Sequence, residues 1–230
     1  MKRYWLIGCA TALLLAAAAF LNFNSPLTAD DKISMAASTA PPENMAPLPE
    51  DKINNLLPDP VLGNANAPVT IIEYASFTCP HCAHFHEQVL PQLKEKYLDT
   101  GKAKLIFREF PFDKVALSAA LLVRCLPNDQ YFAAAGLIFK TQNSWIAEKD
   151  HNAALINRLR IAGLTEEKAR TCLDNKAMAE AILQRQLEAQ QKLGITSTPS
   201  FLINGRKLVG ARPIEDFAAA IEANSTQPSQ

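Results

Sequence analysis

The sequence has no excess of charge of either sign, since 23 lysine and arginine residues balance 23 aspartate and glutamate residues. Proteins that bind nucleic acids through their phosphates usually show a basic patch and a net positive charge. The composition therefore gives no indication of a nucleic-acid surface. About half of the 230 residues are apolar (48%), which is ordinary for a soluble globular protein, and the length suffices for one large domain or two small ones.

Cysteine is also scarce, with five residues in the chain, and a single Cys-x-x-Cys pair is present, in Cys79-Pro80-His81-Cys82. A structural zinc ion usually takes a second pair of ligands from elsewhere in the chain. The single pair therefore argues against zinc, although His84 and His86 keep a metal site open as an alternative. Covalent haem requires a histidine directly after the second cysteine, and this position is Ala83. We expect no metal and no cofactor.

The cysteine pair lies where an apolar β-pattern changes into a helical one. Val69 to Tyr74 is rich in β-branched residues and predicts a buried strand, and apolar residues at helical spacing from Pro80 to about Tyr97 predict a helix. Cys79 is then at the N-terminus of this helix, where free N–H groups and the helix dipole favour a thiolate. We expect Cys79 to be exposed, acidic and nucleophilic, and Cys82, one turn deeper, to close or resolve a disulfide with it.

The two residues between the cysteines have roles that follow from their chemistry. Pro80 falls in the first helical turn, where a missing N–H costs nothing. His81 can donate a hydrogen bond or a positive charge to the sulfur of Cys79, which would stabilise the reduced protein and make the disulfide a stronger oxidant. A purely structural Cys79–Cys82 bridge remains the alternative.

The N-terminal segment is typical of an export signal. Lys2 and Arg3 precede an uncharged apolar stretch from Tyr4 to about Phe23. Residues 1–23 are therefore predicted to be a signal peptide or, since the stretch is long enough, a retained membrane anchor. Export to the periplasm fits the cysteine count, because four cysteines remain once Cys9 is set aside and disulfides belong to oxidising compartments.

The rest of the chain alternates between helical and strand patterns. Residues 24–58 are predicted to be a linker, within which 50–57 can form a short helix. A second strand at Leu105–Phe110 completes a β–α–β unit, which implies a parallel pair with a right-handed crossover. Asn204-Gly205 between two short apolar runs predicts a hairpin. The other predicted elements are helices at Val115–Leu126, Gln130–Thr141, Asn152–Ala162, Thr165–Leu173, Lys176–Leu193 and Ile214–Ala223, hairpin strands at Ser200–Ile203 and Arg206–Val209, and a polar tail at 224–230.

This order of elements resembles the thioredoxin fold of the DsbA family over Asp59 to Ala223. Three motifs carry the resemblance. They are the lead-in Asn64-Ala65-Asn66-Ala67-Pro68-Val69-Thr70, the Cys79–Cys82 motif, and Gly194-Ile195-Thr196-Ser197-Thr198-Pro199, which resembles the family's cis-proline loop. The resemblance implies an α/β thioredoxin fold with a helical domain inserted between its β–α–β and β–β–α halves. The thioredoxin-like parts would be 59–113 and 194–223, and the insertion 114–193.

The resemblance also implies roles for residues outside the cysteine motif. It implies a cis peptide bond between Thr198 and Pro199, which would turn the Thr198 backbone towards Cys79 and let it pair with an extended substrate peptide. An ordinary trans turn is the alternative. It further implies that Glu73, six residues before Cys79, is a buried acid beneath Cys82 that relays the Cys82 proton. The alternative is a glutamate that faces solvent at the strand end.

Cys125 and Cys172 both fall in the predicted helical insertion and admit two interpretations. They can pack as two small apolar side chains, or they can form a second disulfide. An oxidising compartment favours the disulfide, which would resemble the alphaproteobacterial branch of the DsbA family. The other histidines are expected to be surface or packing residues, and three phenylalanines are expected to form an apolar rim for unfolded substrates or part of the core. These residues are His84, His86, His151, Phe77, Phe85 and Phe112.

Together the motifs predict a periplasmic thiol–disulfide oxidoreductase that introduces disulfide bonds into exported proteins. Its partners would be reduced, unfolded exported proteins, and the resemblance implies reoxidation by a membrane quinone reductase similar to DsbB. One alternative is a disulfide isomerase or reductase, because threonine before the cis-proline occurs in isomerase relatives. The other is a metal-binding or holdase chaperone, whose activity would not depend on Cys79.

Overall fold

The structure, a computed structural model, describes residues 48–225 of the chain, with the side chains of residues 48–223. The predicted signal peptide or anchor at 1–23, residues 24–47 of the predicted linker and residues 226–230 of the predicted tail lie outside the described residues. None of the helices that are described is both long and apolar enough to cross a membrane.

A five-stranded sheet lies at the centre of the fold. The strands are β1 (Val61–Gly63), β2 (Val69–Ala75), β3 (Ala103–Glu109), β4 (Ser200–Ile203) and β5 (Arg206–Val209). Their order in the sheet is β1-β3-β2-β4-β5. Strand β2 runs parallel to β3, as the β–α–β pattern predicts, and antiparallel to β4, while β4 and β5 form the predicted hairpin.

Strand β1 is the one strand of the described sheet that carries no sequence signal of its own. Three residues are too few to show a period-2 pattern, and the strand forms because it pairs antiparallel with β3 at the sheet edge. Gly63 ends it with φ +96, and a Cβ there would lie 3.2 Å from both the Ala103 carbonyl oxygen and the Leu98 Cβ. Only glycine fits this turn.

The helix that follows β2 begins at the cysteine motif and continues to Leu98. This helix, α2, consists of four consecutive segments, of which the second and fourth are π-helical: Pro80–His84, Phe85–Val89, Leu90–Leu93 and Lys94–Leu98. Pro91 lies in its interior and has no N–H to donate, so the wider π-helical turn before it relieves the loss of a regular hydrogen bond. Phe85, Val89 and Leu93 face the sheet and are buried, as their spacing predicts.

The remaining helices include one, α5, that the sequence does not predict. Their bounds are α1 (Glu50–Leu56), α3 (Lys114–Arg124), α4 (Tyr131–Lys140), α5 (Gln142–Ile146), α6 (His151–Leu159), α7 (Glu166–Leu173), α8 (Lys176–Leu193) and α9 (Ile214–Ser225). Thr165 is the N-cap of α7 and not its first residue, since its hydroxyl accepts from the Lys168 N–H, which is the usual role of threonine at this position. Helix α9 extends to Ser225, so the tail predicted from residue 224 begins later.

Helices α3 to α8 enclose an apolar core that joins the sheet through aromatic contacts. Trp145 is fully buried at its centre and donates its indole N–H to the Ile138 carbonyl (2.9 Å). Phe77, which follows β2, stacks on Phe107 of β3 (5.6 Å between ring centroids) and on Phe139 of α4 (4.9 Å). The helical region is thereby packed directly against the end of the sheet that carries the cysteines.

Helix α1 is part of this packing, which corrects the prediction of a linker through residue 58. Ile53 and Leu57 lie four residues apart on one helix face and are buried against the helical core. The Gln184 side chain of α8 accepts from the Leu48 N–H (2.6 Å) and donates to the Leu48 carbonyl (2.8 Å). Arg185 donates to the Leu57 carbonyl (2.8 Å). These contacts fix residues 48–58 on α8.

A disulfide joins Cys125, at the C-terminus of α3, to Cys172 of α7. The two Cα atoms are 6.1 Å apart, and the bridge spans 47 residues of sequence. Of the two interpretations that the sequence leaves open, the structure contains the disulfide. It closes a loop that includes α4, α5 and α6, so it restrains the helical region and not the sheet.

Removal of this bridge is expected to destabilise the protein without changing its reactive cysteines. In the chain-entropy treatment, a closed loop of 47 residues corresponds to about 4 kcal/mol of stabilisation. The Cys125→Ala/Cys172→Ala variant should lower the free energy of urea unfolding by up to this amount, while the ionisation of Cys79 stays unchanged. A loss below about 1 kcal/mol would show that the bridge does not restrain the unfolded chain in this way.

Candidate active site

The two sulfurs of the Cys79–Cys82 motif are held at the start of α2 in different surroundings. Cys79 is the N-cap residue with an extended backbone (φ −82, ψ 119), and its carbonyl accepts from the Cys82 N–H (3.1 Å). Cys82 is fully buried, and Cys79 is 7% exposed. Both are free thiols in this structure. The prediction that Cys79 is exposed is therefore wrong, since the residue is buried and its sulfur lies 3.4 Å from the Thr198 carbonyl oxygen.

The pKa of Cys79 is lowered from 9.0 to about 5. The largest cause is the hydrogen bond from the Cys82 side chain, which outweighs the opposing effect of burial. The Thr198 side chain and the backbone N–H groups of Cys82 and His81 lower the pKa further. Cys79 is therefore a thiolate at neutral pH, as its position at a helix N-terminus predicts.

The pKa of Cys82 is shifted in the opposite direction, well above its usual value. Burial is the main cause, followed by the hydrogen bond with Cys79 and by the negative charges of Cys79 and Glu73. A buried thiol cannot ionise easily when a thiolate and a carboxylate already lie beside it. One of the two sulfurs is thus charged and the other keeps its proton.

The side chain of His81 does not have the predicted contact with the Cys79 sulfur. His81 and Pro80 are both exposed, and within residues 48–223 the His81 imidazole makes no hydrogen bond. The contribution of His81 to the pKa of Cys79 comes from its backbone N–H. The physical reason is geometric, because the first turn of α2 directs the N–H groups towards the sulfur and the side chains outward.

The peptide bond between Thr198 and Pro199 is cis, as the resemblance implies. The Cys79 thiol donates to the Thr198 carbonyl (3.4 Å), which brings this loop to the reactive sulfur. The Thr198 hydroxyl is buried and has no hydrogen-bond partner while Cys79 is a thiol. The Thr198 side chain lowers the pKa of Cys79, because a hydroxyl that can donate a hydrogen bond favours the charged form of the sulfur.

Glu73 lies in the middle of β2 and is fully buried, so the alternative of a solvent-facing glutamate does not hold. Its neighbours on the adjacent strands are Phe107 and Phe201. Both carboxylate oxygens are 3.1 Å from the Nε2 atom of His86. His86 is itself buried and stacks on Phe139, with ring centroids 4.2 Å apart. The sequence predicts the acid but gives His86 only a surface or packing role.

Gln142, at the first position of α5, is a second residue that the sequence does not single out. Its side chain is buried, and its Nε2 group donates to the carbonyls of Phe77 (2.8 Å) and Cys79 (3.0 Å). The helical region thus satisfies two backbone acceptors of the loop that carries the reactive cysteine. The sequence contains no pattern that predicts this contact, because Gln142 begins a short helix that is itself not predicted.

The remaining predicted site residues do not converge on the sulfurs. Phe77 and Phe85 are buried in the core, so the predicted apolar rim reduces to Phe112, which is 42% exposed. His84 is exposed, and the ring of His151 contacts the Ile146 carbonyl (3.1 Å). Among the described residues, no group of three histidine, cysteine or carboxylate side chains is arranged to hold a metal ion.

Comparisons with known proteins agree with this fold. The sequence profile of the family described as Thioredoxin matches residues 56–223. The crystal structure of alpha-DsbA1 from Wolbachia pipientis superimposes with a TM-score of 0.68 at 34% identity, covering 79% of this chain and 94% of that chain. The chain belongs to the DsbA-like family of thiol–disulfide oxidoreductases. The thioredoxin fold expected from the motifs is therefore confirmed, including the helices between its two halves.

Two further DsbA-like relatives extend the comparison. A protein-disulfide isomerase from Novosphingobium aromaticivorans is 26% identical with a TM-score of 0.64, covering 74% of this chain and 98% of that chain. A Rickettsia conorii protein with the provisional name protein-disulfide oxidoreductase is 32% identical over 165 residues, which are 71% of this chain and 59% of the relative. The chain thus spans about three fifths of the length of the curated relatives it matches.

Replacement of Thr198 by valine tests the role of the unpartnered hydroxyl. The variant keeps the branched shape but cannot donate to the Cys79 thiolate, so the pKa of Cys79 should rise from about 5 by about one pH unit. Ultraviolet thiolate absorbance as a function of pH measures this: the wild-type signal should be present above the pKa and lost as the pH falls through it. The Thr198→Ser variant keeps the hydroxyl, so its Cys79 should have the same pKa as in the wild type. If Thr198→Val also left the pKa of Cys79 unchanged, a hydrogen bond from the Thr198 hydroxyl to the thiolate would be excluded.

Replacement of Gln142 by leucine tests the contact between the helical region and the cysteine loop. The buried Phe77 carbonyl would lose its donor, while the Cys79 carbonyl would keep the N–H groups of Cys82 and Ala83. The free energy of unfolding should therefore fall by about 1–3 kcal/mol. Gln92→Leu is the matched control, because Gln92 makes a similar bond to the Gln88 carbonyl (2.8 Å) at an exposed position. The control should change stability by less than about 0.5 kcal/mol. Equal losses in the two variants would contradict the assignment.

Proposed function

We propose that this protein is a periplasmic thiol–disulfide oxidase that introduces disulfide bonds into exported proteins through Cys79 and Cys82. The observation that carries the proposal is the opposite shift of the two pKa values, to about 5 for Cys79 and well above 9.0 for Cys82. A strongly stabilised Cys79 thiolate favours the reduced protein, and a protein that is stable when reduced is an oxidant in its disulfide form.

The reaction begins with the oxidised protein, in which Cys79 and Cys82 are joined. A substrate thiolate attacks the Cys79 sulfur, the bond between the cysteines breaks, and Cys82 leaves with the electron pair and takes up a proton. A second substrate thiolate then attacks the substrate sulfur of the mixed disulfide. Cys79 leaves as a thiolate, the substrate gains a disulfide, and the protein is reduced at both cysteines.

Two residues around the sulfurs have roles in this reaction. Glu73 lies near enough for its charge to raise the pKa of Cys82, so it supplies the proton that Cys82 takes up on leaving and accepts it in the reverse direction. The backbone of Thr198, whose carbonyl is 3.4 Å from the Cys79 sulfur, pairs with an extended substrate peptide by strand addition. The substrate cysteine is thereby aligned with Cys79.

The sequence and the family support the proposed cellular setting. The basic residues and apolar stretch of residues 1–23 support export, and an oxidising compartment is where a second disulfide such as Cys125–Cys172 persists. Reduced exported proteins are then the substrates. Reoxidation of Cys79 and Cys82 requires an electron acceptor, for which the family supplies a membrane quinone reductase similar to DsbB.

A disulfide isomerase is the second candidate. The observations that favour it are the threonine before the cis-proline and the 26% identity to the Novosphingobium protein named as a protein-disulfide isomerase. An isomerase acts mainly in its reduced form on proteins that already contain wrong disulfides. The two functions therefore differ in the reduction potential of the Cys79–Cys82 couple.

The equilibrium of Cys79–Cys82 with glutathione buffers distinguishes these functions. An oxidase should have a potential nearer the value of about −120 mV for DsbA than the value of about −270 mV for thioredoxin. It should also oxidise a reduced, unfolded protein stoichiometrically, and the Cys79→Ser variant should not. A potential near the thioredoxin value, with efficient rearrangement of scrambled disulfides, would favour the isomerase. Full activity of Cys79→Ser would refute both.

A further inference from the structure

His86 and Glu73 form a buried pair that the reaction described above does not use in full. The side chains are 2% and 0% exposed, respectively, and Nε2 is equally distant, at 3.1 Å, from the two carboxylate oxygens. A single donor placed between both oxygens fixes the rotation of the carboxylate as well as its position. His86 is four residues after Cys82 on α2, so both residues lie on the helix face that is turned towards β2.

The His86 ring is itself held in place on two sides. It stacks on Phe139 of α4 (4.2 Å between centroids, 28° between planes) and meets the edge of Phe107 of β3 (5.8 Å). His86 also belongs to the π-helical segment Phe85–Val89. Segments of this kind are rare and occur often at functional sites, where they change the direction of a side chain. The His86 ring is therefore in contact with Phe139 of the helical region and with Phe107 of the sheet.

The other charged and titratable groups around Glu73 do not replace His86 as its partner. Cys82 of α2 and Tyr131 of α4 interact with the Glu73 charge, but the Tyr131 hydroxyl donates to Glu109 of β3 (2.7 Å). Arg124 of α3, a buried guanidinium, forms a double hydrogen bond with the same Glu109 (2.6 and 2.8 Å). The flanking strands present phenylalanines. Within the described residues, His86 is the side chain that hydrogen-bonds Glu73.

We propose that His86 is a positioning residue for disulfide exchange: with a proton on Nε2 it orients the Glu73 carboxylate so that this carboxylate exchanges a proton with Cys82. The inference rests on the proposed function, because it concerns the step in which Cys82 reacts. An unpartnered carboxylate in a buried apolar site is costly and would rotate or recruit another donor. The hydrogen bonds from His86 prevent this, and the charge of the carboxylate still acts on Cys82.

The reaction of the reduced protein with glutathione disulfide separates the two steps. In the first, the Cys79 thiolate attacks glutathione disulfide, forms a mixed disulfide and releases one glutathione thiolate. In the second, Cys82 transfers its proton to Glu73, and the resulting thiolate attacks the Cys79 sulfur. The Cys79–Cys82 bond forms and a second glutathione thiolate leaves. Only the second step involves Glu73, so the first is an internal control.

Three variants of the pair, followed by rapid mixing over a range of pH, test the role of Nε2. His86→Phe keeps a ring that stacks on Phe139 but has no donor, and it should slow the second step about ten- to a hundredfold while the first is unchanged. His86→Gln keeps a donor and should stay within about threefold of wild type. Glu73→Gln should be as slow as His86→Phe and lose the pH dependence of the second step.

The combined variant Glu73→Gln/His86→Phe controls for misfolding. The single variant His86→Phe leaves the buried Glu73 carboxylate without a partner, whereas the combined variant contains no such charge. If His86 acts through Glu73, this variant should be no slower than Glu73→Gln alone. The inference is overturned if His86→Phe resolves the mixed disulfide as fast as wild type, if His86→Gln is as slow as His86→Phe, or if the combined effects add. Absence of the first step in the wild-type protein would instead refute the proposed function.

Discussion

The site depends on one electrostatic constraint: two sulfurs and a carboxylate share a small buried volume in which only one sulfur can ionise. Cys82 is fully buried with Glu73 beside it, so the charge resides on Cys79, where the backbone N–H groups of α2 and the Cys82 thiol stabilise it. The two sulfurs differ in charge although they are separated by only one turn of helix. In the proposed reaction, the outer sulfur reacts with substrates, while the inner sulfur takes up the electron pair and a proton in a fully buried position.

The helical region does more than enlarge the core, because it supplies the residues that hold this arrangement in place. Gln142 of α5 donates to the Cys79 carbonyl, and Phe139 of α4 stacks on the ring of His86. Both contacts come from the segment that the Cys125–Cys172 disulfide encloses. A change in the packing of this region would therefore alter the surroundings of Cys79 directly, through the Gln142 and Phe139 contacts, without requiring a general loss of stability.

The sequence predicts the elements that have a local pattern and misses those that depend on distant contacts. Helix α8 has the predicted bounds, Lys176–Leu193, because a capping asparagine and a final glycine mark its ends. The hairpin follows from Asn204-Gly205. Strand β1 and the Gln142 helix are too short for periodicity, and the contact of the buried Cys79 sulfur with Thr198 joins residues 119 positions apart. The pairing of Glu73 with His86 joins a strand to a helix, and no spacing rule connects them.

The loop at Thr198 offers a different hydrogen-bonding group to each state of Cys79. The thiol donates to the carbonyl, and the hydroxyl, which has no partner in this structure, belongs to the side chain that lowers the pKa of Cys79. Strand addition by a substrate peptide requires the same carbonyl that the thiol occupies. In the proposed cycle, the carbonyl is free when Cys79 is in a disulfide or ionised, which are the states before and after a substrate is oxidised. In the reduced protein only the thiol form of Cys79 occupies this carbonyl, and because the pKa of Cys79 is lowered to about 5, the thiol is the minor form at neutral pH.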